Sequence, residues 1–221
     1  MNMVQEKNER RSNIAVEHAA RPATALRHQG LRQELIAAAE AAIEAQGLGE
    51  LRARDLAKTA GCSLGAIYNV FSDMDQLILE VNANTLRAID RTMGAIYEPD
   101  PAQKFCLLAD AYVLYAAGHR RRWDALFSHR LPAEAPAPGW FLELQSAAFS
   151  HIEGPLALLC PELAPGPRSL LGRSIFAAVH GMVALGLDRR IAQTDLPGLR
   201  VQIALVVQAL ARGLPALPRG A

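Results

Sequence analysis

The side chains best suited to chemistry in this sequence cluster between Leu51 and Leu77, L-R-A-R-D-L-A-K-T-A-G-C-S-L-G-A-I-Y-N-V-F-S-D-M-D-Q-L. Arg52 and Arg54 carry guanidinium groups that can clamp phosphates. The Tyr68 hydroxyl can donate to a phosphate oxygen. The Asn69 amide matches N6 and N7 of adenine or a phosphate, and Leu64 can touch a thymine methyl group. Gly65 lets a backbone come close to a ligand, and Ser63 can cap a helix. No catalytic pattern competes with this set. Ser-His-Asp order, paired carboxylates in an apolar segment, a P-loop and a dinucleotide fingerprint are all missing from the sequence, so it does not read as an enzyme. For Tyr68 the competing reading is a half-buried core phenol, and for each arginine a plain solvated side chain.

Those residues need a scaffold that holds them outward. Leu51, Leu56 and Ala57 supply the apolar positions of a first short helix. Ala60-Gly61-Cys62-Ser63 is a turn in which Gly61 takes a positive φ without a Cβ clash. Leu64, Ile67 and Phe71 recur at spacings of three and four, which places them on one apolar face of a second helix. Gly65, Tyr68 and Asn69 fall off that stripe. A helix, a Gly-containing turn and a second helix with polar outward residues form a helix-turn-helix, whose second helix enters a DNA groove.

The stretch from about Leu31 to Leu79 resembles the N-terminal domain of the TetR family of transcriptional regulators. The resemblance rests on A-A-E-A-A-I-E-A-Q-G at Ala38 to Gly47, on R-D-L-A-K-T-A-G-C-S-L-G-A-I-Y-N-V-F at Arg54 to Phe71, and on D-Q-L at Asp75 to Leu77. It covers under a quarter of the chain closely. Three positions depart from the family pattern: Arg52 stands where a Thr or Ser usually caps, Val70 where a His or Tyr is common, and Met74 where a Lys usually meets a phosphate. The resemblance implies an all-α chain, with an N-terminal three-helix helix-turn-helix domain and a C-terminal helical ligand-binding and dimerisation domain. It also implies a double-stranded DNA operator, a small-molecule effector and a homodimer formed through the last two helices.

Composition agrees with a helical fold: 51% of the 221 residues are hydrophobic and only 5% aromatic, with Ala and Leu dominant. No uncharged apolar run reaches about 18 residues, and the N-terminus lacks a signal-peptide apolar core, so we expect no membrane span and a cytoplasmic protein. Cys62, Cys106 and Cys160 are widely spaced and odd in number, which suits buried thiols rather than a disulfide framework. The net charge is only +1, low for a nucleic-acid binder. Acids outnumber bases between Arg27 and Asp75, although Arg52, Arg54 and Lys58 gather at the helix-turn-helix. Modest affinity per head, and reliance on dimerisation, follow. This weak charge keeps alive a rival reading, a helix-turn-helix used as a protein-interaction module.

Three regions result. Residues 1–28 read as a disordered arm in which Arg10, Arg11, Arg21, Arg27 and His28 are available to phosphates. Residues 29–76 form the DNA-binding domain, with a bracing helix from Leu31 to Gln46 ended by Gly47 and a long helix starting near Met74. Residues 77–221 form the helical domain. Pro99 and Pro101 mark a boundary, Gly154-Pro155 a kink or break, and Pro161 to Pro167 a loop. The final helices, about Arg168–Leu187 and Leu199–Leu214, are too apolar all round for the surface of a monomer. The run F-A-A-V-H-G-M-V-A-L also resembles a TetR subgroup with a W-H-G signature, with Val179 in place of the Trp.

A helical domain of this size suits an apolar pocket between helices. Phe105, Tyr112, Tyr115, Trp123, Phe127, Trp140, Phe149 and Phe176 are candidate lining, with His180 as a polar handle. The alternatives are ordinary core for the aromatics and a satisfied core or interface position for His180. The histidines show no metal-ligand spacing, and we expect no metal and no cofactor.

Overall fold

The computed structural model describes residues 26–132, 136–188, 191 and 194–216, and every regular element among them is helical. The helices are α1 (residues 26–46), α2 (Ala53–Thr59), α3 (Leu64–Val70), α4 (Met74–Gly94), α5 (Pro101–Gly118), α6 (Arg120–Ser128), α7 (Gly139–Leu159), α8 (Pro165–Gly186) and α9 (Leu196–Gly213). The chain divides into two compact units at Val81/Asn82.

In the first unit, Leu35, Ala39 and Ile43 of α1 are fully buried with Ile67 and, nearly so, Leu56 and Phe71. Burying each large aliphatic or aromatic side chain contributes about 1.5–3 kcal/mol. Gly47 ends α1 at φ 90°, and Gly61 makes the turn at φ 62°, a left-handed conformation that costs a residue with a Cβ. Helix α1 starts earlier than expected: it takes in residues 26–30, so Arg27 and His28 are helical rather than part of a loose arm. The rest of that arm, with Arg10, Arg11 and Arg21, lies outside the described residues. Asp73 caps α4 by accepting from Gln76 N at 2.7 Å, and Gln76 Oε1 accepts from Ser72 N at 2.8 Å. This reciprocal pair is a capping box in function. Arg32 ion-pairs with Glu80 and lies 5.3 Å from the Phe71 ring centroid, tying α1 to α4 across that aromatic.

In the second unit α5 packs most extensively on α9 and then on α7. Its start is set locally. Asp100 Oδ1 accepts from Gln103 N at 2.7 Å, and Pro101 occupies the first turn, where no N–H is needed. Asp195 and Pro197 repeat the device at α9, with Gly198 N donating to Asp195 Oδ1 at 2.9 Å. Arg200 then grips Asp110 through two bonds of 2.6 and 2.8 Å, fastening α9 to α5.

Proline behaved differently from expectation in two places. Helix α7 continues through Pro155, which is buried within it; the ring removes one backbone donor, and packing offsets the loss. Helix α8 begins at Pro165, inside the stretch read as a loop, because prolines in a first turn forfeit no intrahelical bond. Helix α8 is also long and apolar enough to cross a membrane, with mean hydropathy 1.3. It carries Arg168 and Arg173 and buries Ile175, Val179 and Val183 in the core of its unit. Of the three free cysteines only Cys160 is buried, its thiol 3.5 Å from Leu214 O; Cys62 and Cys106 are partly exposed, against expectation.

Candidate functional site

Helix α3 is built to present side chains outward. Ser63 caps it by accepting from Ala66 N at 3.2 Å. Ile67 is fully buried and Phe71 1% exposed, which fixes the rotation of the helix about its axis. Tyr68 is then 48% exposed and Leu64 39%, with Gly65 and Asn69 exposed beside them. Leu64 therefore leaves the apolar stripe that its spacing assigned it to, and stands on the outer face. A Cβ at Gly65 would meet nothing closer than Ser63 Oγ at 3.9 Å, so packing within the head does not require a glycine there. Helix α3, L-G-A-I-Y-N-V, carries no charged side chain.

Its C-terminus is held by α1, where His28 Nε2 lies 3.0 Å from Asn69 O and donates to it. His28 thus braces α3 instead of serving a loose arm. Arg52 is also committed locally. It precedes α2 at the cap position, makes no side-chain cap bond, and donates through Nη1 to Gly49 O at 2.6 Å and Leu51 O at 3.1 Å. Its Nη2 is 3.8 Å from a Glu50 carboxylate oxygen. Arg54 and Lys58 on α2 are exposed, and neither has an ion-pair partner among the described residues.

The second unit contains an apolar cavity of about 290 Å³, partly open to its surroundings. Five of the candidate aromatics line it: Phe105, Tyr112, Phe127, Phe149 and Phe176. Three do not. Trp123, 2% exposed, stands behind the wall and packs on Phe127. Tyr115 is buried against His119. Trp140, 38% exposed, stacks edge-on against Phe141 away from the cavity. His180 lies outside the lining but touches it through Tyr112 and Phe127.

A short relay fixes the tautomer of that histidine. Trp123 Nε1–H can only donate, and it does so to the Tyr112 oxygen at 2.9 Å. The phenol spends its own proton on His180 Nδ1 at 2.8 Å. His180 is then neutral, with its proton on Nε2. Burial lowers its pKa from the ordinary value, and burial drives that of Tyr112 strongly upward, so both stay uncharged near neutrality.

The lining contains residues that sequence reading missed. Leu86, Ile89 and Met93 come from α4. Gln145, Ala148 and Ile152 share a face of α7 with Phe149, at spacings of three and four that were visible in the sequence. Arg173 and His151 also border the cavity, and His151 Nε2 bonds Asp90 at 2.8 Å. Among the described residues no group of three His, Cys, Asp or Glu could hold a metal ion.

Comparison with known proteins places these features. Residues 35–81 match the family described as bacterial regulatory proteins, tetR family. No curated protein matches the chain. Among solved structures, a protein of unknown function from Rhodococcus sp. RHA1 is similar at TM-score 0.65 and 23% identity, over 81% of this chain and 94% of that one. A possible TetR family transcriptional regulator from Streptomyces coelicolor A3(2) is similar at TM-score 0.62 and 17% identity, over 85% and 100%. RolR, solved with its ligand resorcinol, is similar at TM-score 0.62 and 17% identity, over 89% and 98%. The match over residues 35–81 makes this segment, in which α3 stands exposed and charge-free above buried Ile67 and Phe71, similar to the corresponding part of the bacterial regulatory proteins of the tetR family.

Proposed function

We propose that the protein is a homodimeric repressor, released from its operator by a small, mostly apolar effector bound in the cavity of the second unit. The observation that carries this reading is the cavity itself: about 290 Å³, walled by five aromatic side chains and by aliphatic ones. The resorcinol held by RolR, a structure of similar fold, supports a small-molecule occupant. At the head, Tyr68, Asn69, Leu64 and Gly65 read the groove, while Arg54 and Lys58 hold phosphates. Arg52 shapes the entry to α2.

Dimerisation rests on the outer faces of the last two helices. On α8, Leu170 and Leu185 are 67% and 56% exposed; on α9, Val201 and Leu205 are 60% and 63% exposed. Helix α9 buries only Leu199, Ile203, Val207 and Ala211 within its own chain. Apolar faces of this kind mark a protein interface. Two heads then meet half-sites roughly 34–36 Å apart. An effector that prefers a dimer with another head spacing lowers operator affinity, and by linkage the operator lowers effector affinity by the same factor.

The test is a gel shift on the DNA upstream of the protein's own gene, with salt and candidate effectors varied. Specific, salt-dependent binding that is lost on adding an apolar effector supports the reading. Binding that does not respond to salt or sequence refutes it.

A further inference from the structure

We propose that the effector is an amphipathic monocarboxylate, its apolar body filling the cavity and its anionic end held by Arg173. This rests on the ligand-responsive reading and adds the chemical class. Arg173 on α8 borders the cavity. Its guanidinium carbon lies 4.6 Å from the centroid of the Phe149 ring, itself part of the wall. That stacking holds a long, flexible side chain over the site. Arg173 has no carboxylate partner among the described residues, in contrast to Arg32, Arg120 and Arg200, which each ion-pair within the fold.

The charge around the cavity is one-sided. No Asp or Glu lines it. Two carboxylates stand outside the lining: Asp90, bonded to the lining residue His151, and Glu153, whose side chain packs beside Gly172, the neighbour of Arg173. Gln145 also lines the cavity, one helical turn before Phe149, and its amide is a second donor available to a carboxylate oxygen. An arginine fork that keeps all its donors, against an apolar void, suits a planar anion with an apolar tail.

Size narrows the class. A dry cavity of about 150 Å³ holds benzene, so 290 Å³ takes roughly twelve non-hydrogen atoms at the same density. Decanoate, with ten carbons and two oxygens, has about that number, and its chain adapts to the shape of the wall.

The experiment is calorimetric titration of the full-length protein with decanoate and, separately, with 1-decanol, at a pH of about 7.5 where the acid is ionised. The parent protein should bind decanoate at least tenfold more tightly than decanol. Arg173→Gln should weaken decanoate about tenfold and leave decanol within about twofold, with Arg173→Lys falling between. Ala148→Trp, which fills the cavity, should abolish both. Equal affinity for acid and alcohol, or decanoate binding untouched in Arg173→Gln, overturns the anionic end while leaving the cavity reading standing. No binding of either probe to the parent protein sinks the cavity reading and this inference together.

Discussion

The Tyr112 hydroxyl lies 2.8 Å from His180 Nδ1 while it accepts from Trp123 Nε1 at 2.9 Å. One oxygen therefore partners a buried indole on α6 and a partly buried imidazole on α8. Tyr112→Phe removes both partners at once and strands the Trp123 donor, which is 2% exposed. We expect a loss of about 1–3 kcal/mol, read as a lower urea midpoint with an unchanged slope.

The same relay gives stability a pH dependence. Burial lowers the folded-state pKa of His180 below its unfolded value of 6.5, so the unfolded chain binds more protons in the window beneath that value. Stability contributed by neutral His180 is present above the unfolded pKa, and is lost as pH falls from there towards the folded pKa. His180→Gln should flatten the fall of the urea midpoint as pH drops below about 6.5. An unchanged acid limb in that variant would show that another group titrates.

Two arginines of one head should behave differently. Arg54 is exposed with no ion-pair partner, whereas Arg52 is bound to Gly49 O and Leu51 O. Arg54→Ala should lower the slope of log K against log salt by about 0.9 per head. Arg52→Ala should leave that slope alone and lower the melting temperature instead. Titrations of operator DNA at several salt concentrations, with thermal melts of each variant, separate the two.

Tyr68 is 48% exposed on α3. Tyr68→Ala should weaken operator binding about tenfold or more, a loss of ~1.4 kcal/mol or above, with no change in melting temperature. A variant that binds as the parent does would remove α3 from the groove.

Val201 and Leu205 are 60% and 63% exposed on α9. The double substitution Val201→Glu with Leu205→Glu should give a folded monomer by sedimentation equilibrium, with parental helical content and much weaker operator binding. A parent protein that is already monomeric at micromolar concentration would contradict the interface.

Helices α8 and α9 meet at Gly186, where an added Cβ would stand 2.3 Å from Leu199 Cδ1 and 2.8 Å from its Cδ2. Leu199 is 2% exposed and has little room to yield. Overpacking costs about 1–3 kcal/mol, against roughly 1 kcal/mol gained by replacing a helical glycine with alanine. Gly186→Ala should therefore be neutral to destabilising by up to about 2 kcal/mol in urea unfolding, and Gly186→Val worse.

The head was legible in the sequence because its determinants are local. Gly61 makes its turn through its own φ, Ser63 caps the following helix by accepting from the N–H three residues on, and the spacing of Ile67 and Phe71 places both on the buried face. The helical character of the rest and the apolar final pair also followed from periodicity and breakers. Proline was misread at Pro155 and Pro165 because its effect depends on where a helix begins and what the ring packs against, which neighbours along the chain do not specify.

The sequence by itself determined which residues lie on helices, which helix faces are apolar, and that a helix-turn-helix stands near one end. Tertiary structure alone decided that Leu64 faces outward, that Arg52 is held by Gly49 and Leu51, that Trp140 turns away from the cavity while Gln145 and Arg173 border it, and that Tyr112 joins Trp123 to His180. Periodicity sets the direction of a side chain about its own helix axis. What that side chain meets is set by how helices cross, and those crossings are fixed by residues as far apart as Tyr112 and His180, or Asp110 and Arg200.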